Sequence, residues 1–327
     1  MIARWNRFIG LFRRTEPGDS LAVARIACGL CVLWTIGSMV SAGLVQVLWL
    51  DAAHGGYRER VGVNWLVALL GGPEPAVVWT LVIGGLLGGA ALVAGIAGRV
   101  AALVAGQALT ALVFLNSQAA GSYDLMLTNA LWILVLSRST ATLSLACRLR
   151  RGAWRSAVEV PAWPRYLLLI QLVAIYFSTG IQKLSNCWTP AGGFSALYYI
   201  LQQPSWQRGD MHWIAHVYPL TQFGTALTWI WELTSPLLLL AVYFRATPQR
   251  PGRLRRLFAR IHYIPVFVAI GVTMHLLTWL LMDVGTFTWV ALAYYPAIAR
   301  PTTIPRFITR LTNRASPHEK HVCGPSR

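Results

Sequence analysis

The chain has 327 residues, of which 56% are hydrophobic and only 12% charged, and its mean hydropathy is +0.53. Soluble domains carry roughly 25% charged residues, and several apolar runs here reach the ~20 residues that cross a bilayer, so a water-soluble globular chain is excluded in favour of one all-α, polytopic integral membrane domain. The net charge of +17 lies between the apolar runs, which fits short cytoplasmic loops and argues against a nucleic-acid partner.

Residues 1–19 mix Arg4, Arg7, Arg13 and Arg14 with Ile2, Trp5, Phe8, Ile9, Leu11 and Phe12, the pattern of an amphipathic segment on the cytoplasmic membrane surface and not of a signal peptide. A transmembrane domain over 20–299 follows. Its first span, about 21–44, holds Arg25, which either snorkels to the near interface or enters an internal ion pair. Residues 45–75 are too polar to span. Spans two and three, about 76–96 and 100–115, are rich in Gly and Ala and separated by Ala97-Gly98-Arg99, which predicts a closely packed antiparallel hairpin. Span four, about 122–137, opens on Ser122-Tyr123-Asp124, where the carboxylate suits a helix cap as well as a function.

An arginine-rich loop, 138–162, leads to span five, about 163–185, with Lys183 near its far end. The stretch to about residue 220 is dense in Trp, Tyr, Gly and Pro, as suits an interfacial segment over a site. Span six, about 221–244, places Glu232 near the bilayer middle. A second arginine loop, 245–260, precedes span seven, about 262–283, which contains His275 and ends at Asp283. Span eight, about 284–298, and a basic tail from 300 to 327 complete the chain. Eight spans with both termini cytoplasmic put four arginines in the amino end, six in 138–165, six in 245–260 and six Arg or Lys in the tail, against Arg58, Arg60 and Arg208 outside. The expected location is therefore a cell (inner) membrane, crossed many times.

The five cysteines form no disulfide framework, because Cys28 and Cys31 lie inside the first span and Cys147, Cys187 and Cys323 are scattered. No His or carboxylate accompanies them, so no metal is expected. The lysine count is more informative. Of 28 basic residues 26 are Arg, and the two lysines are Lys183 and Lys320. A lysine kept inside an apolar span fits a position that needs a compact ammonium able to change its proton affinity.

The order of spans gathers Lys183, Asp124, Glu232, His275 and Asp283 in the outer half of the membrane. Charged groups there cost roughly 2.5–3.5 kcal/mol even on mild insertion scales and usually face an interior or a water-filled cavity. Lys183 shares a helix face with Thr179 and Tyr176. Desolvation favours the neutral amine, whereas Glu232 or Asp124 nearby favours the ammonium, so a base role and a counter-ion role compete. His275 either relays a proton or packs as a hydrogen-bonded core residue. Two functions stay open on these grounds: an enzyme, and a non-catalytic binder or transporter with a structural Lys183–Glu232 pair.

Tyr176-Phe177-Ser178-Thr179-Gly180-Ile181-Gln182-Lys183-Leu184, followed by Trp188 and Gly192-Gly193, resembles the HTTM family, whose best-known member is vitamin K-dependent gamma-glutamyl carboxylase. Gly121-Ser122-Tyr123-Asp124-Leu125-Met126-Leu127, Trp231-Glu232-Leu233 with Pro236, and His275 with Gly285-Thr286-Phe287 are similar to further family segments in the same order, and Arg25 also fits. The resemblance implies that Lys183 stands where the carboxylase holds its base toward a reduced quinone of the vitamin K or menaquinone type. It implies His275 as a catalytic helper and Glu232, Asp124, Asp283, Tyr176 and Arg25 as supporting groups. Ala120-Gly121 occupy the place of the carboxylase's Asn-His, and about 30 mostly basic residues follow the last span where that enzyme has a large extracytoplasmic domain. In size the chain is more similar to bacterial members of the sporulation-delaying-toxin maturation type. That similarity implies a secreted peptide substrate, a membrane lipid or quinone, and a partner membrane protein.

Overall fold

In lipid a backbone amide has no water to bind, so an apolar run pairs its polar groups internally by coiling. The computed structural model describes residues 13–300 together with Gly10, Thr302 and Thr303. Most of the amphipathic segment expected over 1–19, and the tail beyond Thr303, lie outside the described residues.

A three-residue strand β1 (Thr15–Pro17) leads into α1 (Asp19–Ser41). The polar loop after it holds two short helices, α2 (Val45–Trp49) and α3 (Trp65–Leu69). α4 (Pro75–Ala94) starts on a proline, whose missing amide is harmless in a first turn. It reverses through Gly95 and Ala97, both left-handed in backbone, into α5 (Gly98–Leu115). Next come α6 (Ser122–Leu136), α7 (Leu145–Arg151), strand β2 (Glu159–Pro161) and α8 (Trp163–Gln182). The second half contains α9 (Ala196–Leu201), α10 (Tyr218–Leu233), α11 (Pro236–Ala246), α12 (Arg253–Arg260), α13 (Tyr263–Leu281) and α14 (Phe287–Ala293).

The fold is an all-α membrane bundle whose only sheet among the described residues is the antiparallel pair β1–β2, with Glu16 opposite Val160. Helices α1, α4, α5 and α6 pack in sequence as one group. α8 leans on α6 and carries α10 and α11, against which α13 packs. α14 closes the seam by touching α1, α6 and α13. There Thr35 and Thr286 share a hydroxyl hydrogen bond of 2.9 Å, and the Tyr294 hydroxyl donates to the Met126 carbonyl at 2.6 Å.

Small residues set the closest approaches, as the Gly- and Ala-rich runs predict. A β-carbon at Gly29 would lie 2.9 Å from the Gly89 carbonyl oxygen across α1 and α4. One at Gly88 would lie 2.9 Å from the Ala105 amide nitrogen across α4 and α5. Backbone cannot yield as a flexible side chain can, so these positions fix the helix separation.

The connections sort to two ends. At one end β1 pairs with β2, Arg165 clamps Glu16 through Nε and Nη2 at 2.5 and 2.7 Å, and Arg245 donates to the Ile298 carbonyl at 2.6 Å. At the other, Asn116 donates to the Leu48 carbonyl, Gly62 to Leu115, and Asp283 to Trp206. This is the alternation expected from the arginine pattern.

Span by span, the structure is shorter than expected in places. Five helices, α1, α4, α5, α8 and α13, are long and apolar enough to cross a membrane, and a sixth crossing results if the bent pair α10–α11 counts as one. The fourth expected span is the 15-residue α6. The eighth is the seven-residue α14 with a 3₁₀ turn over Tyr295–Ala297, cut short by Gly285 with its φ of +56° and by Pro296. The sixth expected span is not continuous: α10 and α11 meet at a 56° bend. Pro236 lacks an amide, so the i→i−4 ladder breaks at Thr234-Ser235, although Ser235 itself stays in the right-handed helical region.

If backbone contact fixes the α4–α5 separation, Gly88→Ala should destabilise the protein by about 1–3 kcal/mol, the usual penalty for overpacking. Gly37→Ala, whose β-carbon would have only Leu86 Cδ2 at 4.0 Å, should be neutral or stabilising. Unfolding of both variants in detergent micelles checks this; equal stabilities would contradict it.

Candidate functional site

Tyr176, Thr179 and Lys183 recur at helical spacing along one face of α8, and Lys183 is the residue at which that helix ends. A helix C-terminus carries partial negative charge from its unpaired carbonyls, so a cation is favoured there. The opposite wall is α10. Gly180 allows it to approach: a β-carbon at Gly180 would lie 3.1 Å from both the Glu232 β-carbon and the Leu233 amide nitrogen. The Trp229 indole donates to the Gly180 carbonyl at 3.2 Å, and Ser235 reaches the Val173 carbonyl at 3.3 Å.

This crossing seats Glu232 one residue before the end of α10, level with the last turn of α8. The sequence pattern alone places it near the middle of a continuous span; the helix breaks just after Leu233. The Lys183 ammonium donates to Glu232 Oε2 and lies 4.7 Å from the centre of the Trp188 ring. The side chains are 17% and 9% exposed, so the pair is largely out of water yet reachable. Ile181 and Leu184, on either side of the lysine, are exposed, Leu184 by 84%.

The aromatic stretch forms a cap beyond the end of α8. Leu197 donates its amide to Thr225 Oγ1 at 3.0 Å, and Gln222 donates to the Gly193 carbonyl at 2.6 Å, which ties α9 and the 190–193 turn onto α10. In that cap the Cys187 thiol is held below its usual pKa by hydrogen bonds to Ser195 and then Ser185.

A second cluster lies deeper. His275 is 1% exposed, and its Nε2 pairs with the Tyr176 hydroxyl at 2.8 Å. Tyr176 also meets the Tyr295 hydroxyl at 3.3 Å and the Trp231 ring at 4.4 Å between centroids. Gly271 makes the room, because a β-carbon there would stand 2.0 Å from the Tyr295 hydroxyl and 2.6 Å from Trp231. His275 Nδ1 has no hydrogen-bond partner among the described residues. Tyr176 is two helical turns, about 10 Å, from Lys183. Lys183 and His275 are thus joined through Tyr176 and through the Trp231-Glu232 step.

The remaining candidates go elsewhere. Asp124 is buried in the first turn of α6, where Oδ2 accepts from the Gly121 amide at 2.8 Å, a capping arrangement. Asp283 is 72% exposed and stands 4.0 Å from Arg208, whose guanidinium lies over Trp279. Arg25 is at the opposite end: 0% exposed, donating to the Leu143 carbonyl at 2.6 Å and filling the space that a side chain at Gly95 would need. Trp188, Gly180 and Tyr295 join the site although charge and hydropathy do not single them out. Among the described residues no group of three or more His, Cys, Asp or Glu is arranged to hold a metal ion.

The pair is expected to be coupled. Lys183→Met and Glu232→Gln should each destabilise the protein, because each leaves a half-buried partner uncompensated. The double variant should lose less than the sum, with a coupling of about 0.5–3 kcal/mol. Unfolding free energies in micelles measure it, and strict additivity would mean that the contact contributes nothing.

Comparison with known proteins gives a family model described as HTTM domain, which matches residues 12–246. That range contains Lys183, Glu232, Asp124 and Arg25 and stops short of His275 and Asp283. No curated protein and no solved structure matches.

Proposed function

The chain belongs to the HTTM domain family, and on that premise we propose that it is a membrane enzyme that modifies a secreted peptide, with Lys183 as the base, at a site facing outward. The observation that carries this reading is a largely buried lysine at a helix end, held by Glu232 and the Trp188 face beneath an aromatic cap. The arginine-rich connections gather at the other end of the bundle, and the positive-inside rule assigns that end to the cytoplasm. The Lys183 end then faces outward, where a secreted peptide would arrive, presented by a partner membrane protein.

The donor set fits a reduced quinone of the vitamin K or menaquinone type. An amine, a carboxylate and an indole face stand together at an edge where Ile181 and Leu184 are exposed. Such a quinol, when bound, supplies the reducing power for an oxygen-linked carboxylation. The chain's own part is proton handling. The neutral Lys183 amine would accept a proton from a substrate hydroxyl as that O–H bond breaks. The resulting ammonium would then be held by Glu232 and the Trp188 ring. His275, buried on Tyr176, would orient the α8 face and not touch the reacting atoms.

The direct Lys183–Glu232 contact also favours a second reading, a structural ion pair in a binder or transporter. The two readings part at Lys183→Arg, which keeps the charge and the carboxylate partner but not a titratable amine. Mass spectrometry of secreted peptides from cells with and without the gene, seeking a mass increment of one carbon dioxide, defines the activity. A base role predicts that Lys183→Arg lowers it by at least about 100-fold while stability is kept. Full activity in that variant would leave only the ion pair.

The orientation has its own test. Cys28, Cys31 and Cys147 are buried and Cys187 is half-exposed. In a Cys323→Ser background, a membrane-impermeant maleimide added to spheroplasts should label Cys187. Labelling only after permeabilisation would invert the topology.

A further inference from the structure

A cavity of about 810 Å³ lies away from Lys183, at the opposite, arginine-rich end, between α11, α12, α13 and the Tyr295–Ala297 turn. Five arginines line it, Arg245, Arg250, Arg255, Arg256 and Arg300, and its described lining includes no carboxylate. Its floor is apolar and runs inward past Tyr263, Ile264 and Val268 to Tyr295.

Arg250 donates to the Tyr243 hydroxyl at 3.1 Å, and two of the arginines are braced on backbone carbonyls. Arg255 donates to the Phe244 and Thr247 carbonyls at 3.0 and 2.7 Å, and Arg245 donates to the Ile298 carbonyl. These bonds hold the 247–252 turn and the rim in place without neutralising any charge. Arg250, Arg256 and Arg300 stand exposed around the mouth.

Helix α12 says where this mouth sits. Phe258 points inward, with its ring 5.5 Å from Phe244 and 5.0 Å from Tyr263. Leu254, Leu257 and Ile261 follow one another at helical spacing and are 48%, 50% and 46% exposed. Arg253, Arg256 and Arg260 have the same spacing one position back. An anchored helix with an exposed apolar row beside a cationic row lies in a membrane interface, with the apolar row among acyl chains and the cations at headgroup level.

We propose that this cavity binds an anionic phospholipid, its phosphate held at the rim by Arg250, Arg256 and Arg300 and one acyl chain laid along the Tyr263–Val268 face toward Tyr295. Guanidinium groups bind phosphate through paired, charge-assisted hydrogen bonds, and several cations around one mouth need an anion. The apolar floor requires that the same ligand carry a hydrocarbon chain. A soluble polyanion lacks the chain and a neutral lipid lacks the charge. The chain's own sequence after Thr303 has five Arg or Lys against one Glu, so its net charge does not complement the rim.

The test uses the full-length protein in a neutral detergent, titrated with phosphatidylglycerol and with phosphatidylcholine of the same acyl chains, and read by native mass spectrometry and thermal shift. Glycerophosphate and inorganic phosphate serve as chain-free probes. Phosphatidylglycerol should bind saturably and raise the melting temperature, and the other three should not. The triple variant Arg250→Gln, Arg256→Gln, Arg300→Gln should lose affinity roughly a hundredfold, since each juxtamembrane cation contributes about a factor of five. Ala259→Trp fills the mouth without removing charge and should lose binding as well. Arg148→Gln with Arg150→Gln and Arg151→Gln removes three charges from α7 at the same end and should keep it. Equal binding of phosphatidylcholine, an equal shift with free phosphate, or an equal loss in the α7 variant would each overturn the proposal.

Discussion

The contact between α8 and α10 at Gly180 is what the Lys183 end of this protein depends on. α10 can lie against the Gly180 carbonyl only because no side chain intervenes, and only because the ladder is already broken at Thr234-Ser235. An unbroken helix would carry Glu232 past α8 at a fixed pitch. The break frees α10 to tilt by 56° relative to α11, so its last turn meets the last turn of α8. One glycine and one proline thereby convert two separately costly ions into a pair. They also leave the amino-terminal part of α10 to support the aromatic cap.

Charge placement divides the rest of the molecule by the same reasoning. At the arginine-rich end the guanidinium groups are used structurally. Arg165 on Glu16 pins the amino end to α8, Arg245 and Arg255 satisfy carbonyls that helix ends leave open, and Arg25 satisfies the loop carbonyl of Leu143. A guanidinium suits this work because it stays charged and presents several donors in a fixed plane. Lys183, at the other end, stands in a different environment. It has one carboxylate and one aromatic face, and exposed apolar neighbours on both sides.

Hydropathy and arginine placement are properties of the chain in one dimension, and both survive folding. The helical class, the helix starts and the sorting of connections to two ends could therefore be read from them. Lys183 and Glu232 could be paired for the same reason, since two ions of opposite sign in apolar segments have few places to go. What the sequence does not carry is rotation about each helix axis. Asp124 lies at the correct end yet turns its carboxylate to the Gly121 amide, and Asp283 turns to Arg208. His275 points to Tyr176, so the deeper cluster is aromatic rather than ionic. The bend was hidden because a proline is tolerated within membrane spans and leaves the hydropathy of 221–244 unchanged.

The geometry also bounds how Lys183 can act. An ammonium held by Glu232 has no lone pair to offer, so the pair must loosen before the amine can take a proton. α10 is bent from α11 at the break, and its amino-terminal turns are tied to the cap through Thr225 and Gln222. A substrate that displaces the cap would therefore pull on the helix carrying Glu232, while α8 stays fixed to α6 and to the basic end through Arg165. Separation of carboxylate from amine would then follow from substrate entry itself.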